Sequence, residues 1–176
     1  MPTVFSHPVV PLTVALCAGD RAVPPKLLWA GVAASILPDL DAVSFMIGVP
    51  YTSVYGHRGV SHSLTFAAVI GLCAAAIAPR LSLSRWAAFM YVSMAYASHG
   101  LLDMLTDGGR GIAFLWPLSS ERYFLPWQVI KVSPIAAHRF LSSRGLEVLQ
   151  SELLWIWLPS TLAVLACHLL WRKHAV

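Results

Sequence analysis

Seven side chains, His7, Asp39, Asp41, His57, His62, His99 and Asp103, are of the types that bind divalent metals, and most fall in short clusters. LPDLD at 37–41 sets two carboxylates two residues apart, just past a proline expected to end a helix. HRGVSH at 57–62 supplies two imidazoles on a tight turn, with Gly59 permitting the bend and Ser61 available to cap the helix that follows. HGLLD at 99–103 places His99 and Asp103 at i and i+4, with Asp107 one further turn along, so all three are expected on one helix face. Imidazole and carboxylate without thiolate suit zinc first, with manganese or iron as alternatives. A tetrahedral zinc takes four ligands or fewer. Seven candidates exceed that demand, so either two ions share bridging carboxylates about 3.5 to 4 Å apart or some of the seven orient the others, and the two-ion arrangement is favoured. The chemistry this implies is hydrolysis by water made acidic at the metal. Arg58 could stabilise negative charge on a phosphate substrate, and Asp107 could act as general base or orient a ligand.

Each residue also has an ordinary reading. Ser61 and Asp39 can be helix caps, His62 can hydrogen-bond a carbonyl, and Arg58 can pair with Asp41 in a plain ion pair. The whole set argues otherwise. Of eight acidic residues, Asp39, Asp41, Asp103 and Asp107 all stand beside His7, His57, His62 or His99 at expected helix ends.

The elements that must position these groups are apolar helices. Of the 176 residues 57% are hydrophobic and 11% charged, where a soluble domain carries roughly 25% charged residues, so lipid is the expected solvent. Apolar stretches at 9–18, 27–37, 64–78, 86–102 and 153–171 predict an all-α, polytopic bundle of five short helices in a single domain. The last three look like spans or near-spans. The first two are short for a core of about 30 Å, interrupted as they are by Pro11 and Pro38. Residues 107–151, rich in Gly, Pro, Ser and aromatics, predict an irregular segment capping the bundle at headgroup depth, with a short strand permitted at WQVIKV. Cys17, Cys73 and Cys167 each sit in an apolar run and read as helix packing residues rather than disulfide or thiolate ligands. No Lys or Arg precedes the first apolar run, so a cleaved signal peptide is disfavoured and His7 is expected to stay.

With five crossings, all seven candidates fall on one membrane face. Arg21, Lys26, Arg80, Arg85, Arg172 and Lys173 then fall on the other, which the positive-inside tendency makes cytoplasmic and the site extracytoplasmic. The net charge of +4 comes from basic residues scattered singly beside apolar runs, a pattern of membrane flanks rather than of nucleic-acid contact. His168 lies toward the opposite face, His174 in the basic tail and His138 in the capping segment, and none is expected to be a ligand.

With those residues in hand, the chain resembles the YdjM-type family of membrane-bound proteins, nearly end to end. The motifs that carry the resemblance are SH at 6–7, LPDLD at 37–41, GHRGVSHSL at 56–64, SHGLLDMLTDGG at 98–109, ERYFLPWQVIKVSP at 121–134 and SELLWIWLP at 151–159. The resemblance implies metal-dependent hydrolysis, an inner-membrane location, and His7, Asp39, Asp41, His57, His62, His99 and Asp103 as the histidine and aspartate positions. A lipid or isoprenoid ester or phosphoester is the expected substrate. The rival expectation is a metal-binding or metal-transporting membrane protein without catalysis. A zinc protease is disfavoured because no HExxH is present.

Overall fold

The computed structural model describes residues 1–134 and 140–174, the side chains of 172–174 excepted, so that His138 and Arg139 lie outside the described residues. Among the described residues, five helical rods form. The first is α1 (Val9–Ala18), and the second joins α2 (Pro25–Ile36), a 3-10 turn (Leu37–Ala42) and α3 (Val43–Met46). The third is α4 (Leu64–Ile77) with a closing 3-10 turn (Ala78–Leu81), and the fourth is α5 (Arg85–Met104). The last runs from α6 (Ser143–Glu152) through a π turn (Leu153–Trp157) into α7 (Leu158–His174).

Local chemistry sets these bounds. Ser63 and Ser84 cap α4 and α5 by accepting the backbone N–H of Phe66 at 3.1 Å and of Ala87 at 3.3 Å. Ser82, with φ of 58°, ends the 3-10 turn and reverses the chain into α5. The α-helix stops at Ile36, as expected just ahead of Pro38, but the rod does not. Pro38 sits in the first turn of a 3-10 stretch, and the rod runs on to Met46. The π turn lies just ahead of Pro159, which has no N–H for the Trp155 carbonyl four residues earlier, and the wider turn accommodates that gap.

Among the described residues, three segments are long and apolar enough to cross a membrane: Pro25–Met46, Leu64–Leu81 and Ser143–Trp171. Their outward leucines, among them Leu72, Leu162, Leu165 and Leu169, are exposed, as a lipid-facing surface requires. Helix α5 has 20 residues but carries His99 and Asp103, and it is the enclosed rod, packed against α4, α2 and α1, while α1 packs on α7. Small residues let the rods approach. Ala34, Ala67, Ala78 and Ala88 share a core with Leu27, Tyr91, Val92 and Tyr96. A Cβ on Gly31 would overlap the ring of Tyr91, whose hydroxyl donates to the Pro11 carbonyl at 2.9 Å, so one glycine allows α2, α5 and α1 to meet.

The capping segment is stitched to the rod ends. Asp107 N–H donates to the Ile130 carbonyl at 2.9 Å, Ile130 N–H to Leu105 at 3.1 Å, and Leu64 N–H to Phe114 at 3.0 Å. Ile112 and Ile130 are fully buried beneath it. The strand permitted at WQVIKV is reduced to a single bridge between Thr106 and Ile130, and residues 143–151 of the segment are helical and start the last rod. A second correction concerns cysteine. Cys17 and Cys167 are joined as a disulfide, because the packing of α1 on α7 brings their Cα atoms to 5.4 Å. Nothing in the spacing of two cysteines 150 residues apart signals that pairing.

Replacing Gly31 by Leu is expected to destabilise the bundle by about 1 to 3 kcal/mol through overpacking against Tyr91. Ala30→Leu, at an exposed position of the same helix, should leave the unfolding midpoint in detergent unchanged.

Candidate metal centre

Two histidines define the centre. His99 Nδ1 lies 2.8 Å from the Ser35 carbonyl, which only accepts, so the proton sits on Nδ1 and Nε2 presents a lone pair. His62, in the 3-10 turn Val60–His62, has Nδ1 at 3.1 Å from Asp41 Oδ2, and the carboxylate assigns the same tautomer. Their two Nε2 atoms are 3.2 Å apart. Two lone pairs held at that distance repel unless a cation or a shared proton lies between them.

Around this pair stand two carboxylates and a third imidazole. Asp39 Oδ1 is 3.4 Å from His99 Nε2, and Asp103 Oδ2 is 3.6 Å from His62 Nε2 and 4.0 Å from His99 Nε2. The other oxygens face elsewhere. Asp39 Oδ2 and Asp103 Oδ1 lie 3.8 and 3.9 Å from His7 Nε2. His7 stacks on His99 with centroids 3.7 Å apart and planes inclined by 14°. Asp39, His62, His99 and Asp103 offer ligand atoms all within 4.8 Å of one another, a set that can hold a metal ion. Neither nitrogen of His7 and no oxygen of Asp39 or Asp103 makes a sound hydrogen bond, although Arg58 Nε stands 3.0 Å from Asp103 Oδ2. Buried polar atoms are normally paired, and so many orphans converging on one point fit a site able to hold a cation. The donor set, nitrogen and oxygen without sulfur, suits such an ion.

A support layer holds these groups. Asp41 takes four donors: His57 Nδ1 at 2.5 Å and Arg58 N–H at 3.0 Å, with the Ser61 hydroxyl at 2.5 Å and His62 Nδ1 at 3.1 Å. Arg58, buried and with φ of 63°, also donates to the Gly108 carbonyl at 3.0 Å and to the Thr106 hydroxyl at 3.2 Å. Gly59 is required for space, since a Cβ there would strike the Val54 carbonyl. Arg122 clamps the incoming loop by donating to the carbonyls of His57, Tyr51 and Ser53 at 2.9 to 3.1 Å.

A sequence model of the family described as YdjM inner membrane protein matches residues 1–175. The chain belongs to the YdjM family. Among curated proteins, Inner membrane protein YbcI of Escherichia coli (strain K12) is 48% identical over 177 residues, covering 99% of this chain and 100% of that relative. No solved structure matches. The protein is thus a membrane protein of the YdjM family with a His/Asp cluster able to bind a metal ion.

Of the residues expected at the site of this YdjM protein, the structure gathers His7, Asp39, His62, His99 and Asp103 around one point. Asp41 and His57 stand behind them. A 3-10 helix turns roughly 120° per residue, so Asp39 and Asp41 diverge, one toward His99 and the other toward His57 and His62. Asp107 does not share the helix face of His99, because α5 ends at Met104. Its carboxylate instead meets Lys131 Nζ at 2.9 Å, Val132 N–H at 2.8 Å and Arg144 at 3.6 Å. Burial pushes that carboxyl up, but the Lys131 and Val132 hydrogen bonds and the charges of Lys131 and Arg144 outweigh it and hold Asp107 below the usual carboxylate range. Arg58 pairs with Asp103 rather than Asp41. Ser63, not Ser61, caps α4, because a 3-10 turn intervenes and leaves Ser61 free to bind Asp41. The Ser35 carbonyl and Arg122 were not legible as site elements.

Asp41→Asn removes the carboxylate that assigns the His62 tautomer, and metal affinity measured by competition with a chelating dye should fall about 10- to 100-fold.

Proposed function

We propose that the protein is a membrane-bound metal-dependent hydrolase that cleaves a lipid or isoprenoid ester or phosphoester. The observation that carries this reading is the pair of Nε2 lone pairs of His62 and His99, 3.2 Å apart, facing the unpaired carboxylates of Asp39 and Asp103. The oxygens divide between two nitrogen groups, His62 with His99 on one side and His7 on the other, so these five side chains could hold two ions. Zinc is the first choice and manganese or iron the alternatives. Divalent ions held there supply Lewis acidity, lowering the pKa of water toward neutrality and polarising the scissile bond.

The remaining roles belong to this chain's own side chains. Asp41 and the Ser35 carbonyl hold His62 and His99 in their ligating tautomers. Arg58 fixes Asp103 and, with His57 and Tyr51, lines a cavity of about 210 Å³ that also touches Gly109, Val132 and Ser133. A cationic wall favours a phosphoester over a neutral ester. With Asp107 engaged by Lys131, the acid–base role passes to His57, whose Nδ1 is held by Asp41 while its ring reaches the cavity. Elemental analysis of purified protein should find bound divalent metal. Asp103→Asn should lose metal and turnover of phospholipid or isoprenoid phosphate in nanodiscs, while His57→Ala should keep the metal and lose about 10²- to 10⁴-fold in rate. Protein purified without metal, or metal-loaded protein inert across that lipid panel, overturns the reading.

A second reading, metal binding without catalysis, is favoured by the enclosure of the ligands: His7, His99 and Asp103 are 0% exposed. Transport is disfavoured by the other half of the bundle. Its core of Ala15, Leu27, Ala67, Ala88 and Val92 offers an ion no ligands.

We further propose that the site faces the extracytoplasmic side of a bacterial inner membrane. Arg21, Lys26, Arg80 and Arg85 lie at the opposite end of the bundle, as the positive-inside tendency asks. An Asp20→Cys variant should react with a membrane-impermeant maleimide in inside-out vesicles only, and labelling of intact spheroplasts would reverse the assignment.

A further inference from the structure

His7 is held unlike the other imidazoles of the centre. His62 and His99 are each fixed by a hydrogen bond at Nδ1, whereas neither nitrogen of His7 has a hydrogen-bond partner and its ring rests on His99 by stacking alone. Its position must come from the backbone that carries it. That backbone is a turn in which Ser6 N–H donates to the Thr3 carbonyl at 2.9 Å and Val9 N–H to the Ser6 carbonyl at 3.2 Å.

The turn is gripped from far along the chain. Glu152, 1% exposed, receives the Thr3 N–H on Oε1 at 2.5 Å and the Thr3 and Ser6 hydroxyls on Oε2, both at 2.6 Å. Trp157 Nε1–H donates to Ser6 Oγ at 3.0 Å. Glu152 closes α6, and the π turn Leu153–Trp157 follows it, so both grips on Ser6 come from the one irregular turn of the last rod. No basic side chain pairs with Glu152 among the described residues. A buried carboxylate is an expensive way to fasten a loop, and three donors, one a backbone N–H that cannot reverse, match an ionised acid and not a neutral amide.

We propose that Glu152 is a positioning residue for His7: by gripping Thr3 and Ser6 it sets the imidazole against Asp39 Oδ2 and Asp103 Oδ1 and so completes the second of two metal positions. This rests on the two-ion reading given above. The two positions then differ in what builds them. The His62/His99 position depends on Ser35 and Asp41, and the His7 position depends on the Glu152 turn.

The test uses the full chain in nanodiscs, stripped with chelator and titrated with Mn²⁺ alone, reading stoichiometry and the electron paramagnetic resonance spectrum. The unaltered protein should bind two ions with an exchange-coupled spectrum, and His7→Ala should bind one with an isolated six-line spectrum. Glu152→Gln, nearly isosteric, should behave like His7→Ala, with the second ion weakened about 10- to 100-fold and the first unchanged. Ser6→Ala, which leaves the carboxylate in place, should weaken the same ion to a smaller degree and stands in if Glu152→Gln does not fold. Two tightly coupled ions in both Glu152→Gln and Ser6→Ala, or equal weakening of both ions, would assign Glu152 to general stability and overturn the proposal. One ion in the unaltered protein, or two in His7→Ala, removes the two-ion reading itself.

Discussion

Charge that has been taken out of water without enough countercharge governs this structure. Asp39, Asp41 and Asp103 meet at one end of a bundle that otherwise sits in lipid, and Arg58, bound to Asp103, is the one lysine or arginine paired with them among the described residues. Buried carboxylates left in that state are strongly destabilising. Neutral imidazoles do not restore the balance, since their Nδ1 protons go to Ser35 and Asp41 and their Nε2 atoms bring more lone pairs. The arrangement can hold a metal ion, and the rest of the bundle can be understood as what keeps these groups in place.

Each support acts on a different degree of freedom. The 3-10 turn at 37–42 separates Asp39 from Asp41, so that one faces the centre while the other orients His62. Arg58 adopts a left-handed backbone and sends its side chain to Asp103, Gly108 and Thr106, tying the 57–62 turn to the end of α5 and the start of the capping segment. Close packing by small residues sets the depth, because Gly31 and Gly71 admit Tyr91 and Ser93 of α5 between neighbouring rods.

What could be read beforehand was whatever depends on local period. His99 and Asp103 are one helical turn apart, and any helix places them together. The gathering of His7, Asp39 and His62 at the same depth followed from apolar runs that alternate in direction. Less legible were features set by chain bends. Pro38 reads as a stop and the α-helix does end ahead of it, yet the rod goes on as a 3-10 stretch, and Asp107 falls past the end of α5, where no helical period applies. Long-range pairings left no local trace. Cys17 with Cys167, and Glu152 with Thr3 and Ser6, join the two ends of the chain, and only the docking of α1 on α7 brings them together. The lone hint for Glu152 was an acid leading into the apolar run SELLWIWLP.

The enclosure of α5 bears on how the protein enters a membrane. A helix carrying buried polar groups such as Ser98, His99 and Asp103 along its last turns is less apolar than its neighbour α4 and inserts less readily alone. Here α5 follows α4 after a few residues and packs against it more extensively than against any other rod. The pair is therefore suited to leave the translocon as one helical hairpin, the strongly apolar partner carrying the polar one across, so that the polar helix meets lipid as little during biogenesis as it does in the finished fold.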